Sequence, residues 1–287
     1  MNTVLQEILT LLDVEAIERN LYRGRNHDTE HVFGGQVLAQ AIAATLRTVE
    51  TPHRLHSIHA YFLRAGDWQV PILYEVDRIR DGRSFTTRRV VAVQHGQAIF
   101  SMSASLQKEE SGLEHAQPMP DVPPPEMLRG DREVFREIAR ARPEVERFAF
   151  RFEAIDSRQV ERFTMVDEGR HAPRKHTWLR TRERLPDDPG VHLALLAYMS
   201  DLDFMSTSML PHGRSLMAQS VHGASLDHSL WFHRPFRADE WLLFVKESPN
   251  AGGARGFVRG RFFTRDGVLV ATAAQECLIR PVRRAAV

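Results

Sequence analysis

Between residues 98 and 106 the chain alternates without a break: Ala98, Phe100, Met102, Ala104 and Leu106 take one face, Ile99, Ser101, Ser103 and Ser105 the other. A period of two with one apolar face predicts a half-buried β-strand. Elsewhere the apolar spacing lengthens to three and four. Leu5, Ile8, Leu9 and Leu12 form one such stripe, Val37, Leu38, Ala41, Ile42 and Thr45 a second, and Leu193, Leu196, Ala197 and Phe204 a third. Each predicts a helix with one face turned inward. Residues 268–274 are apolar on both faces, apart from Thr272, as in a strand covered on both sides. Asp81-Gly82, His95-Gly96, Asp266-Gly267 and Ala251-Gly252-Gly253-Ala254 punctuate these runs as hairpin turns. A helix followed by antiparallel hairpins describes an α+β unit in which a sheet wraps around a helix.

A weak repeat suggests that the unit occurs twice, the alternative being chance similarity between two β-rich stretches. Phe62-Leu63-Arg64 returns as Phe232-His233-Arg234, 170 residues on, and Pro71-Ile72-Leu73-Tyr74 returns at the same distance as Trp241-Leu242-Leu243-Phe244. Arg83-Ser84-Phe85 and Arg255-Gly256-Phe257 stand 172 apart, and Gly96 and Gly267 stand 171 apart. A near-constant offset over four anchors argues for two copies of one fold. Between the copies lie five prolines within residues 118–125, an extended connector, and then a charged segment over 129–147 that predicts a surface helix or strap. The expected organisation is a first unit over 1–112, a connector over 113–145 and a second unit over 146–287.

Composition removes whole classes of function. The 287 residues carry 38 basic and 37 acidic side chains, a net charge of +1, which offers no bulk attraction for nucleic acid or an anionic membrane. With no apolar run of about 18 residues, no membrane span is expected. The N-terminus is too acidic and polar for a signal peptide, and Arg-Arg-Ala-Ala-Val at the C-terminus is not a peroxisomal address, so the cytoplasm is the expected location. The single cysteine, Cys277, excludes an intrachain disulfide and a thiolate cluster. Zinc-protease spacings of histidine and glutamate are absent. His56 and His59, three apart on a predicted strand, are expected on opposite faces, so no metal site and no cofactor is called for. Nor is there a Gly-x-Ser-x-Gly elbow: the candidates around Ser215 and Ser225 both lack the last glycine. No glycine-rich phosphate loop follows a strand.

What remains is a set of polar residues in apolar settings. Asp201 falls on the line of Leu193, Leu196, Ala197 and Phe204, so the helix that buries these would carry a carboxylate inward. Asp203 points about 200° away on that helix. Burial and a helix C-terminus both make a carboxylate a better base near neutral pH; the alternative is a helix cap. Gln275 interrupts the doubly apolar strand and shares parity with Ala271, Ala273 and Cys277, while Glu276 takes the other face. A neutral amide there either handles a water or is a core glutamine satisfied by backbone. Ser225 precedes Asp227 and His228, but neighbouring strand residues point apart, which argues against a triad and for a hydroxyl that holds a water.

At these residues the chain resembles the bacterial acyl-CoA thioesterase II family, the TesB type. The resemblance is carried by Val32-Phe33-Gly34-Gly35-Gln36-Val37, His59-Ala60-Tyr61-Phe62-Leu63-Arg64, Asp81-Gly82-Arg83-Ser84-Phe85, Tyr198-Met199-Ser200-Asp201-Leu202-Asp203-Phe204, Leu226 through Phe236, Ala254 through Gly260 and Gln275-Glu276. It implies a double hotdog fold, two antiparallel sheets each around a central helix, and hydrolysis of acyl-CoA. It implies a catalytic trio of Asp201, Ser225 and Gln275, with serine in place of the threonine of some members. By analogy with other hotdog enzymes, Gly34 and Gly35 become oxyanion donors at a helix start; their alternative role is helix packing. A homo-oligomer, a dimer or tetramer of double hotdogs, is also implied. Two rivals stand beside this reading. A hotdog enoyl-CoA hydratase would need Asn-Pro-x-His after Asp201, where the chain has Leu-Asp-Phe-Met; a non-catalytic acyl-CoA sensor would have no use for three buried polar residues.

Overall fold

The computed structural model describes residues 4–26, 32–49, 52–148, 153–161 and 165–282; the first three and last five residues, on which part of the targeting reading rests, lie outside them. The first half runs α1 (Val4–Leu12), β1 (Val14–Glu18), β2 (Leu21–Gly24), α2 (Gly34–Leu46), β3 (His53–Phe62), β4 (Ile72–Asp81), β5 (Phe85–Gln94) and β6 (Gln97–Lys108). After the connector and α3 (Asp131–Ala141), the second half runs β7 (Ile155–Gln159), β8 (Arg174–Thr181), α4 (Pro189–Ser200), β9 (Val221–Ser225), β10 (Asp227–Phe232), β11 (Leu242–Gly252), β12 (Arg255–Thr264) and β13 (Leu269–Pro281).

The expected double hotdog is present, with its two sheets fused. Among the described residues the strands form one antiparallel sheet in the order β1-β2-β4-β5-β6-β3-β10-β13-β12-β11-β8-β7, and β9 continues the edge of β13 beyond β10. The join is β3 against β10. His59 lies opposite Ser229, Tyr61 opposite Asp227 and Ser57 opposite Trp231. His59 and Ser229 are themselves 170 residues apart, so each repeat meets its counterpart across an approximate two-fold axis, and neither sheet is left with an open central edge.

Helices α2 and α4 lie side by side and antiparallel on the inner face. Gly34, at the start of α2, meets Asp201 just past the end of α4, while Leu46 at the other end meets Gly190. A Cβ on Gly35 would come within 2.6 Å of the Tyr198 carbonyl, so glycine there lets the two helices approach closely. Both helices are buried on nearly all sides in one core shared with the inward residues of the strands. Asp188 caps α4 by accepting from the Gly190 amide, with Pro189 at the first helical position. The third apolar stripe overreaches the helix: α4 ends at Ser200, Asp203 turns left-handed (φ 54°), and Phe204 is buried from beyond the turn.

The outer face of the second half has its own small core of Trp178, Trp241, Leu243, Val245 and Phe263, covered by Met119, Val122 and Leu128 of the connector. The expectation for His56 and His59 does not hold. A bulge between Leu55 and Ser57 adds a residue to β3, which turns His56 onto the outer face beside Ser105 and Phe85, the face on which His59 meets Ser229. Among the described residues no three potential ligands gather to hold a metal.

Candidate active site

β9 and β13 bring Ser225 and Gln275 together, and β10 places His228 between Gln275 and the end of α4. Gln275 points inward from β13 and has no exposed surface, while its neighbour Glu276 points outward to Arg255. Ser225, at the end of β9, lies opposite Cys277 of β13, and the Gln275 amide nitrogen donates to its hydroxyl at 2.6 Å. The other end of that amide meets His228 Nδ1 at 3.0 Å, and His228 Nε2 meets the Ser200 hydroxyl at 2.9 Å. Burial pushes the His228 pKa down to about 4 despite the Gln275 bond, so the ring is neutral at neutral pH.

Asp201 is the C-cap of α4 and half-buried. Its carboxylate faces the first residue of α2: a Cβ on Gly34 would lie 2.7 Å from Asp201 Oδ2 and 3.1 Å from the Phe62 ring. The start of α2 carries the helix's free N–H groups and partial positive charge. There the amides of Gln36 and Val37 both bond the Phe33 carbonyl. Asp201 also makes itself felt at Cys277, whose thiol is pushed up to about 11 by burial above all, with the Asp201 charge contributing.

His228 and Ser200 are what the sequence reading left out. The signal was present in β10, where His228 shares parity with the buried Leu230 and Phe232. A triad through Ser225, Asp227 and His228 does not form: both ring nitrogens are committed elsewhere, and Asp227 accepts the Glu276 backbone amide at 2.7 Å. Of the two glycines, Gly34 faces Asp201 and Gly35 packs on α4.

Comparison with known proteins supports the double hotdog and places the chain in a family. A family profile described as acyl-CoA thioesterase matches residues 145–278, and one described as acyl-CoA thioesterase N-terminal domain matches 23–107. Acyl-coenzyme A thioesterase 8 of Mus musculus is 42% identical over 95% of this chain and 88% of its own. The chain belongs to the acyl-CoA thioesterase family. Acyl-CoA thioesterase 2 of Haemophilus influenzae is 38% identical over 98% of this chain and 99% of its own. The solved structure of an acyl-CoA thioesterase II, TesB2, from Mycobacterium marinum superposes with a TM-score of 0.80 at 42% identity, covering 96% of this chain and 98% of that one.

Proposed function

We propose that this acyl-CoA thioesterase cleaves its substrate by direct attack of one water, held between Asp201 and Ser225 and deprotonated by Asp201. The observation that carries the reading is the bond from Gln275 to Ser225 at 2.6 Å, with the Asp201 carboxylate at the start of α2. The family resemblance implies that Gln275 holds the water directly. Its complete burial leaves no surface for a solvent molecule, so it acts by fixing Ser225, which fronts it. The water donates one proton to Asp201 and is oriented by the Ser225 hydroxyl. Its oxygen then adds to the thioester carbonyl, and collapse of the tetrahedral adduct expels the CoA thiolate.

The oxyanion needs donors already in place. Gly34 is suited to this: its N–H lies at the start of α2, beside Asp201, and the absence of a side chain keeps the approach open. Gly35 has the packing role. Acyl-CoA is the only partner that this chemistry requires. No helix among the described residues is long and apolar enough to cross a membrane.

Release of free thiol from acyl-CoA tests the reading. Asp201→Asn keeps the shape but accepts no proton at neutral pH, and general-base catalysis is worth about 10²–10⁴-fold, so kcat is expected to fall by that order. Binding of a non-hydrolysable thioether analogue should persist. An Asp201→Asn enzyme with full turnover would exclude this base. Wild-type protein that binds acyl-CoA and releases no thiol would favour the sensor instead.

A further inference from the structure

We propose that His228, backed by Ser200, is a positioning residue: its ring fixes which end of the Gln275 amide faces Ser225, and so which way the Ser225 hydroxyl points. This deepens the water-attack reading and rests on it.

The four groups form a chain whose first three members are sealed from solvent and whose last, Ser225, is half-buried. Ser200 meets His228 at 2.9 Å, His228 meets Gln275 at 3.0 Å, and Gln275 meets Ser225 at 2.6 Å; Ser200, His228 and Gln275 have no exposed surface. A neutral imidazole has one donor and one acceptor, and an amide has one donating and one accepting end. With no water to make up a mismatch, every bond in the chain must run in one polarity. With the ring proton on Nδ1, it donates to Gln275 Oε1, Nε2 accepts from Ser200, and the amide nitrogen donates to Ser225. The Ser225 proton is then free to point at the water.

The opposite polarity also closes. Ser200 then donates to the Ala197 carbonyl, 2.8 Å away, Nε2–H donates to Ser200, and the amide turns over. Gln275 Oε1 now faces Ser225 and takes its proton, so the water loses its donor. Ser225 alone cannot select between these, since a hydroxyl donates as readily as it accepts. The ring tautomer and the polarity of the chain are one and the same choice, and the productive state is the Nδ1–H tautomer. The first half carries no such device. The repeat offset places Ile58 where the second half has His228, and Ile58 lies opposite Ala104 in the β3–β6 register, where there is no amide to orient.

The test uses the full-length enzyme. Nitrogen NMR of the ring is expected to show a neutral His228 protonated at Nδ1 at neutral pH; an Nε2–H tautomer overturns the proposal. His228→Leu should lower kcat by about tenfold or more with KM little changed. His228→Asn, which still donates from the Nδ1 position, should recover most of that loss. In a Gln275→Ala background His228→Leu should add less than about twofold, because it acts through that amide. A folded His228→Leu enzyme with wild-type kcat, or a full independent loss in the Gln275→Ala background, overturns it. Should His228→Leu not fold, the ring tautomer and His228→Asn decide: a folded His228→Asn enzyme as impaired as Gln275→Ala counts against the proposal. If Asp201→Asn and Gln275→Ala both keep wild-type kcat, the water-attack reading has failed and this proposal with it. If they lose activity while His228→Leu does not, only the positioning role has failed.

Discussion

Just past α4, the left-handed backbone of Asp203 (φ 54°) swings its carboxylate away from Asp201 and onto the buried Lys175 ammonium. Burial works to raise the Asp203 pKa, but Lys175 and Lys246 prevail and hold it below the usual carboxylate range. A folded-state pKa below the unfolded one means that this pair stabilises the fold at neutral pH and ceases to do so as pH falls through the folded value. The carboxylate is 45% exposed, which discounts the attraction. Asp203→Asn should therefore leave chemistry intact while costing about 2 kcal/mol at neutral pH, with the gap to wild type closing in acid. Urea unfolding at neutral and acid pH checks this, and equal stability at neutral pH would contradict it. Cys277 offers the opposite test. It lies two residues from Gln275 on the inner face, yet its thiol is held near 11 and donates to the Gly256 carbonyl at 3.2 Å. Cys277→Ala should keep most activity; a trapped acyl adduct on that sulfur would replace water attack with nucleophilic catalysis. The inward direction of Gln275 was legible from parity alone; Asp201 and Asp203 do diverge, but through the left-handed turn past the end of α4 and not through the helical angle. The Lys175 partner and the His228 bonds were not legible, because both are contacts between segments far apart in sequence.

The strands and helices themselves were readable wherever one period ruled. The alternation over residues 98–106 became β6, and the Gly253-Ala254 turn has both residues at positive φ, as a tight hairpin requires. Two elements escaped. The bulge at His56 carries no sequence mark, since an extra residue in β3 is defined only by the register of its neighbour β6. The cover over the outer face was visible as a proline-rich run but not as a packed element. There the Pro123 carbonyl accepts from the Trp178 indole at 3.0 Å, and Met119 and Val122 seal Trp178 and Trp241 from solvent. The prolines keep this segment extended with little entropy to lose on docking. Replacing residues 117–125 with a Gly/Ser linker of equal length should lower stability by about 2–4 kcal/mol and shift tryptophan emission to the red. Because the connector covers the sheet face opposite the site, kcat below the unfolding transition should be unchanged. A kcat that collapses with the fold intact would mean that the connector also shapes the site.

At the scale of the whole molecule, the approximate two-fold axis makes two equivalent places, and the proposed trio of Asp201, Ser225 and Gln275 occupies the one in the second half. Where the second half has Ser225, His228 and Gln275, the repeat offsets place Leu55, Ile58 and Ala104, all buried and apolar. Where Asp201 caps α4, Arg47 caps α2, and its guanidinium pairs with Asp13 at 2.7 Å. The strand positions equivalent to the trio's hydroxyl and amide therefore carry neither group in the first half. The division is physically economical, since a second set of buried polar groups without chemistry to perform would only weaken the core. The first half still contributes to the one site across the helix pair: Gly34 and Phe62 stand against Asp201. The repeat was legible as an offset near 170 residues. That its two copies share one sheet, and that Gly34 of one copy faces Asp201 of the other, follows from the pairing of β3 with β10 and of α2 with α4, which no local pattern records. Titration of the Asp201→Asn enzyme with a non-hydrolysable acyl-CoA thioether is expected to saturate at about one ligand per chain, and Gly34→Ala, which crowds Asp201 from the other half, should lower turnover of the wild-type enzyme. Two equivalent ligands per chain, with Gly34→Ala inert, would show that the halves act as separate sites.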